Sequence, residues 1–404
     1  MNDKDVLKKI FSAQRIREQA QKIWKRVEAG KGEWRVDLSQ MEPLSEFVQE
    51  VILEKYPDLK IPPHSRLNHF QVGGRDRVQE LLNSIEEPLE KARTLMDLII
   101  VSVFLDAGAG AQWKYNEDLS GHFYSRSEGL AVASYHLFHR GLLSSDPQLP
   151  FQADGAGLLH LTEDVFKEAF QVSVGNNLLG VKERVALLHR LGKVVEHDHT
   201  HFSGHLKRPG SLLDYWITKC PNKKIQASFL LETLLFAFSP IWPQRTSWKG
   251  HPLGDVWSYS PLGADEDWES LVPFHKLSQW LAYSLFQPLE MAGFTILNPE
   301  ALTGLPEYRN GGLFIDGKVL LLKDERRFEE EHPMDSDLVI EWRALTLVLL
   351  DQMAEKLRER LKRPSLTMAE VLEGGTWWAG RRLAFEKRSD GASPLKVISD
   401  GTVF

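Results

Sequence analysis

The stretch DSDLVIEWRALTLVLLDQMAEKLRERLK, Asp335 to Lys362, decides the fold class. Leu338, Trp342, Leu345 and Leu349 recur in it at i, i+4, i+7 and i+11, the stripe of an α-helix. Acidic residues stand at its start and basic ones at its end, as a helix dipole prefers. Its middle, LVIEWRALTLVLL, is apolar almost all round, which predicts a helix buried in a core. Glu341 and Arg343 sit inside that run. Unpaired charges there would be very costly, and residues two apart point to different faces, so these two cannot readily neutralise each other. Their partners must come from elsewhere. Glu307 and Arg309, in LTGLPEYRNGGL (Leu302 to Leu313), are the natural candidates. A buried ion-pair network that holds the core and an active site built on the same charges both fit this pattern.

The other periodic segments are helical as well. EKARTLMDLIIVSVFLDAGAG (90–110) reads as a buried helix ending in glycines. SEGLAVASYHLFHRG (127–141), NNLLGVKERVALLHRLG (176–192) and IQASFLLETLLFAFSPIW (225–242) continue the pattern. PFHKLSQWLAYSLFQPLEMAG (273–293) is expected to start at Pro273, a residue favoured in a first turn. Residues 1–30 read as one charged amphipathic helix. Strand signals are few: GLFID and KVLLLK, joined at Gly317, predict a small β-hairpin near 311–323. The expectation is a mainly α protein, with an N-terminal helical segment over 1–59 and a domain over 60–404 formed as one body or two intimate helical lobes.

Composition narrows the function. The 404 residues are 42% hydrophobic and 26% charged, enough apolar chain to bury a substantial core. A net charge of -7 argues against a nucleic-acid-binding surface. Cys220 is the one cysteine, which excludes intramolecular disulfides and cysteine-rich metal sites. The N-terminus lacks the apolar core of a signal peptide, and no run of about 20 apolar residues is present to span a bilayer. A cytoplasmic protein, without nucleic-acid or membrane partners, is the expectation.

Several groups could carry chemistry. Lys276, Gln279 and Tyr283 form a polar stripe at i, i+3 and i+7 on an otherwise apolar helix. It reads either as a solvated face or as a pocket wall on which Lys276 offers a point charge to an anion and Gln279 a forked amide. HSRLNHFQVGGRDR (64–77) brings His64, Arg66, His69, Arg75 and Arg77. Ser127 suits a helix N-cap, so Arg126-Ser127-Glu128 reads as a helix start able to favour an anion. The twelve tryptophans read first as a thick aromatic core, though Trp113 and Trp377 sit beside glycine or polar residues, as pocket walls often do. EHDHTHFSGH, with His197, His199, His201 and His205, is the one metal-like cluster, but it lacks the H-E-x-x-H spacing and reads more readily as an exposed loop.

Taken in order, HSRLNHFQVGGRDR, DAGAGAQWKY, RSEGLAVASYHLF, FQVS, RPGSLLDYW, PFHKLSQWLAYSL, LTGLPEYRNGGL, EWRALTLVLLD, LEGGTWWAGR and SDGTVF resemble the uracil catabolism protein 4 family over about residues 60–404. That resemblance implies a role in the uracil degradation route that opens the pyrimidine ring and passes through ribosylurea or its phosphate, with urea as a product. PFHKLSQW, GLPEYRNGGL and DLVIEWRALTLVLL are also similar, more distantly, to the queuosine 5′-phosphate N-glycosidase family. The second resemblance implies a helical fold related in shape to helical DNA glycosylases. It carries roles onto Lys276, Gln279, Tyr308, Arg309, Glu341 and Arg343, while Glu307 stands where that family has Asp.

Together the two resemblances imply hydrolysis of the N-glycosidic bond of ribosylurea or its 5′-phosphate. Glu307, Glu341 and Arg309 are then the expected catalytic residues. Lys276, Gln279, Tyr308, Arg343, Arg126, Arg66, Trp113 and Trp377 are the expected substrate-binding ones, with no metal and no cofactor required. A metal-dependent amidohydrolase or deaminase acting on the opened ring, and a non-catalytic binding protein for a pathway intermediate, stay open as alternatives.

Overall fold

The computed structural model describes residues 2–106, 108–110, 112–204, 207–243, 245–264 and 267–398. Helices dominate, and the strands form only two-stranded ladders among the described residues. The protein is mainly α. Its chain divides into two compact units, each assembled from non-adjacent segments.

The first unit takes residues 1–64, 245–279 and 298–399. Its spine is the helix Asp337–Arg360, N-capped by the Ser336 hydroxyl and buried at every position from Leu338 to Leu350. That is what its all-round apolar sequence requires. The helix Ala13–Glu28 packs on it, presenting buried Ile16, Ala20, Ile23 and Val27 at helical spacing. The N-terminal segment is two helices, not one: Asp3–Ile10 ends, and Ser12 caps Ala13–Glu28 by accepting from the Arg15 N–H. A hydroxyl that satisfies an orphan N–H there starts a new helix rather than prolonging the old one.

The expected hairpin near 311–323 does not form. Tyr308–Asp316 is a helix, and Leu320–Leu322 pairs antiparallel with Trp34–Val36, far away in sequence. Gly311 marks close packing here rather than a turn, since a Cβ on it would lie 2.7 Å from the Trp342 ring. Pro273 does not open a helix either. It ends the strand Leu271–Pro273, paired with Val256–Ser258, and the helix begins at Lys276.

The second unit takes residues 65–244 and 280–297, with the last five residues of the chain, which lie outside those described. Its core is built on the buried helix Pro88–Phe104 and on Arg126–His139, Val181–His197 and Ala227–Phe238. A hairpin, Tyr115–Glu117 with His122–Tyr124, and a parallel pair, Lys224–Gln226 with Thr295–Leu297, complete it. No helix among the described residues is long and apolar enough to cross a membrane.

Candidate functional site

The segment Thr303–Glu307 is irregular backbone that other side chains hold in place. Gln279 donates through Nε2 to the Thr303 hydroxyl at 2.9 Å. Asn310 Nδ2 donates to the Leu305 carbonyl at 3.1 Å, and Arg343 Nε to the Pro306 carbonyl at 3.3 Å. Glu307 then becomes the N-cap of Tyr308–Asp316. Its two carboxylate oxygens accept from the backbone N–H groups of Asn310 at 2.6 Å and Arg309 at 2.9 Å. Each oxygen keeps a further lone pair beyond its cap bond, and the residue is buried, so the carboxylate is fixed in direction.

Arg309 follows in the first turn. Its guanidinium carbon lies 4.1 Å from the centre of the Trp377 ring and 5.4 Å from that of Tyr308. The His64 ring is 6.0 Å from Trp377 on a tilted approach. His64 Nδ1 in turn lies 2.7 Å from Glu373 Oε2. Glu307, Arg309, Trp377, His64 and Glu373 thus form one chain of neighbours within the first unit.

The charges of the long helix are satisfied differently from expectation. Arg343 makes no ion pair with Glu307 among the described residues, but grips Asp255 with both terminal nitrogens at 2.7 Å each. Burial alone would raise the Asp255 carboxyl. The Arg343 guanidinium, with the Trp257 indole N–H and the Lys276 backbone N–H, instead holds it down at about 2. Glu341 makes no ion pair with Arg309 among the described residues. It points the other way, accepting from the Tyr259 hydroxyl at 2.5 Å and the Glu33 N–H at 2.7 Å, with Gly32 beside it. Desolvation raises its pKa, and those two donors only partly offset this. The reason for the divergence is the one that rules out their mutual pairing: positions two apart leave a helix on different sides.

Gln279 is fully buried, so the polar stripe on its helix is not a solvated face. Lys276 is half-buried at the helix start, where its N–H is anchored on Asp255. Asp255 is the residue that sequence reasoning missed. It lies in a bend just before the strand Val256–Ser258, with no periodic signal, and nothing in LGDVWS announces a partner 88 positions away.

The remaining expected residues fall in the second unit. Arg66 is fully buried and donates to the Ser102 hydroxyl and carbonyl, the Ser127 carbonyl and Asp106. Arg126 opens the helix Arg126–His139 with φ +53°, and the cap position is Ser125, not Ser127. Ser127 donates instead to Asp106 at 3.2 Å. Trp113 is a core side chain rather than a pocket wall: it is wholly buried, and its indole N–H donates to the Phe170 carbonyl.

A groove of about 540 Å³, lined by Arg190, Lys193, Val194, His197, Asp198, Ala237 and Pro240, also lies in the second unit, and none of the expected catalytic or substrate-binding residues lines it. Of the histidine cluster, His201 bonds Asp198 at 2.6 Å and His205 lies outside the described residues. No group of three or more His, Cys, Asp or Glu gathers as a metal site among the described residues.

Residues 9–404 match the family described as "Protein of unknown function (DUF1688)", and the chain belongs to that family. It is 39% identical to Protein urg3 of Schizosaccharomyces pombe over 419 residues, covering 99% of both chains. It is also 39% identical to Uracil catabolism protein 4 of Lachancea kluyveri, over 96% of this chain and 97% of the relative.

Proposed function

We propose that this protein acts in uracil catabolism as a hydrolase that cleaves the N-glycosidic bond of ribosylurea or its 5′-phosphate, releasing urea and ribose or ribose phosphate. The observation that carries this reading is the Glu307 carboxylate. It is aimed by two backbone N–H groups, held at a loop pinned from three sides, and flanked by Arg309 on the Trp377 ring. Cleavage of such a bond passes through an oxocarbenium-like state at C1′, and a fixed carboxylate either stabilises that charge or takes the proton of the attacking water. The near-full-length likeness to a relative named for uracil catabolism supports the pathway.

In this reading Glu307 faces C1′, while Arg309, Tyr308 and Trp377 bound the ribose. Lys276 supplies a cation for a phosphate. Gln279 and Arg343 act by holding the 303–306 loop, and Glu341 by tying the long helix to Glu33 and Tyr259. The test is to incubate EDTA-treated protein with ribosylurea and with its 5′-phosphate and to assay urea and reducing sugar. Urea release from at least one, lost in Glu307→Gln, is expected. No urea from either overturns the reading. Activity lost on EDTA treatment and restored by zinc would favour a metal-dependent amidohydrolase instead.

A further inference from the structure

We propose that His64 and Glu373 form a proton-transfer dyad, with His64 as the general acid that protonates the leaving urea nitrogen and Glu373 as its positioning residue. The inference rests on the glycosidase reading above. Both side chains are buried, 5% and 7% exposed, and they meet at 2.7 Å although 309 positions separate them.

Several features serve to bring this pair together. Glu373 lies in the π-helical turn Leu372–Thr376 inserted between the helices Met368–Val371 and Trp377–Lys387. Such turns are uncommon and recur at functional positions, because one extra residue per turn re-aims a side chain. The His64 N–H donates to the Ala369 carbonyl at 2.9 Å, which fixes its backbone to the helix just before that turn. Gly374 lets the turn lie against the segment leading into His64, since a Cβ there would stand 3.0 Å from Ile61. Trp377, one turn on, presents one neighbourhood to both the His64 ring and the Arg309 guanidinium.

A carboxylate on Nδ1 sets the imidazole's tautomer and orientation, so that the exchangeable proton is carried at Nε2. A urea nitrogen is a poor leaving group unless it is protonated as the bond breaks, and neither Glu307, already placed at C1′, nor the guanidinium of Arg309 can donate that proton. In the step, the C1′–N bond breaks and its electron pair stays on nitrogen, which takes the Nε2 proton of protonated His64. Water oxygen bonds to C1′ and loses a proton to Glu307, and solvent exchange returns Glu307 and His64 to their starting states.

The test compares wild type, His64→Ala, His64→Asn and Glu373→Gln on ribosylurea and on a 4-nitrophenyl riboside, whose leaving group needs no proton. His64→Asn keeps an N–H for Glu373 but cannot transfer a proton. It serves as the reference should His64→Ala fail to fold by circular dichroism. Both His64 variants are expected to lower kcat on ribosylurea by roughly 10²–10⁴-fold, with KM little changed and the nitrophenyl substrate far less affected. Added imidazole should restore part of the His64→Ala activity, and Glu373→Gln should lose roughly 10–100-fold. Unimpaired urea release by the His64 variants overturns the dyad alone, as does an equal loss on both substrates without rescue by imidazole. A wild type that releases no urea overturns the glycosidase reading, and the acid role falls with it.

Discussion

Arg343 and Asp255 meet through two bonds of 2.7 Å, one from each terminal guanidinium nitrogen to each carboxylate oxygen, with both side chains buried. The same carboxylate accepts from the Trp257 indole and the Lys276 N–H, so it joins the long helix, a strand and the start of another helix. Removing the cation leaves this charge buried without a counter-charge. Arg343→Leu is therefore expected to lower stability by about 3–5 kcal/mol in urea denaturation, and the double variant Arg343→Leu/Asp255→Leu by clearly less. A double variant no more stable than Arg343→Leu would show that the cost lies in lost packing.

His275 and Asp255 each make stability depend on pH, in separate windows. Burial of His275, whose Nε2–H donates to the Ile10 carbonyl, pushes its pKa from 6.5 down to about 4. Between those values the unfolded chain takes a proton that the folded one refuses. The contribution of His275 to stability should thus fall as pH drops from 6.5 to 4, by on the order of 3 kcal/mol, while buried Asp97, raised by desolvation from 3.8 to about 6, acts in the opposite direction over much of that range. His275→Asn, which tolerates the local φ of +49°, should remove that contribution, read as the difference from wild type at each pH. Asp255 acts lower down. With its folded pKa at about 2 against 3.8, it contributes roughly 2 kcal/mol that is present above pH 4 and lost toward pH 2. Thermal melts across pH 2–8 check both.

Glu307→Asp separates capping from catalysis. Aspartate is an excellent N-cap, so the melting temperature should change little. The carboxylate moves by about one bond length, and a displacement on the order of 1 Å at a reacting group costs roughly 10²-fold. Urea release measured beside a melt tests this, and an unchanged kcat would sink the placement of Glu307 at C1′.

The Arg309–Trp377 contact at 4.1 Å predicts a graded series. Trp377→Phe keeps a ring face for the guanidinium, whereas Trp377→Leu removes it, with a difference of about 0.5–2 kcal/mol in a double-mutant cycle with Arg309→Met. Ligand affinity should follow the same order in calorimetry. Equal behaviour of Phe and Leu would make Trp377 a packing residue only.

The helices were legible in the sequence because their apolar periodicity is long. The spine helix in particular announces its own burial. What misled was glycine: Gly311-Gly312 reads as a turn, but in the structure Gly311 clears room for Trp342 inside a helix, a tertiary fact with no local signature. Glu307, Arg309 and Trp377 were each singled out by their motifs, though not as neighbours of one another. Asp255 and the His64–Glu373 contact were not, because each pairs residues remote in sequence from segments without periodicity. The cap role of Glu307 was open to reading, since a carboxylate just before a helical run is a common start, but the hairpin expectation hid that helix.

The strand Trp34–Val36 and its partner Leu320–Leu322 also bear on the order in which the protein is made. At roughly 5–20 residues per second, a ribosome delivers the second strand many seconds after the first. Through that interval Trp34, buried in the finished fold, has neither Leu322 beside it nor the Leu338 carbonyl to which its indole N–H donates. The first 64 residues must therefore wait, apolar faces unmatched, while the whole second unit is synthesised. A nascent chain cut off before residue 320 would present those faces to chaperones, and the first unit could not assemble until translation was nearly finished.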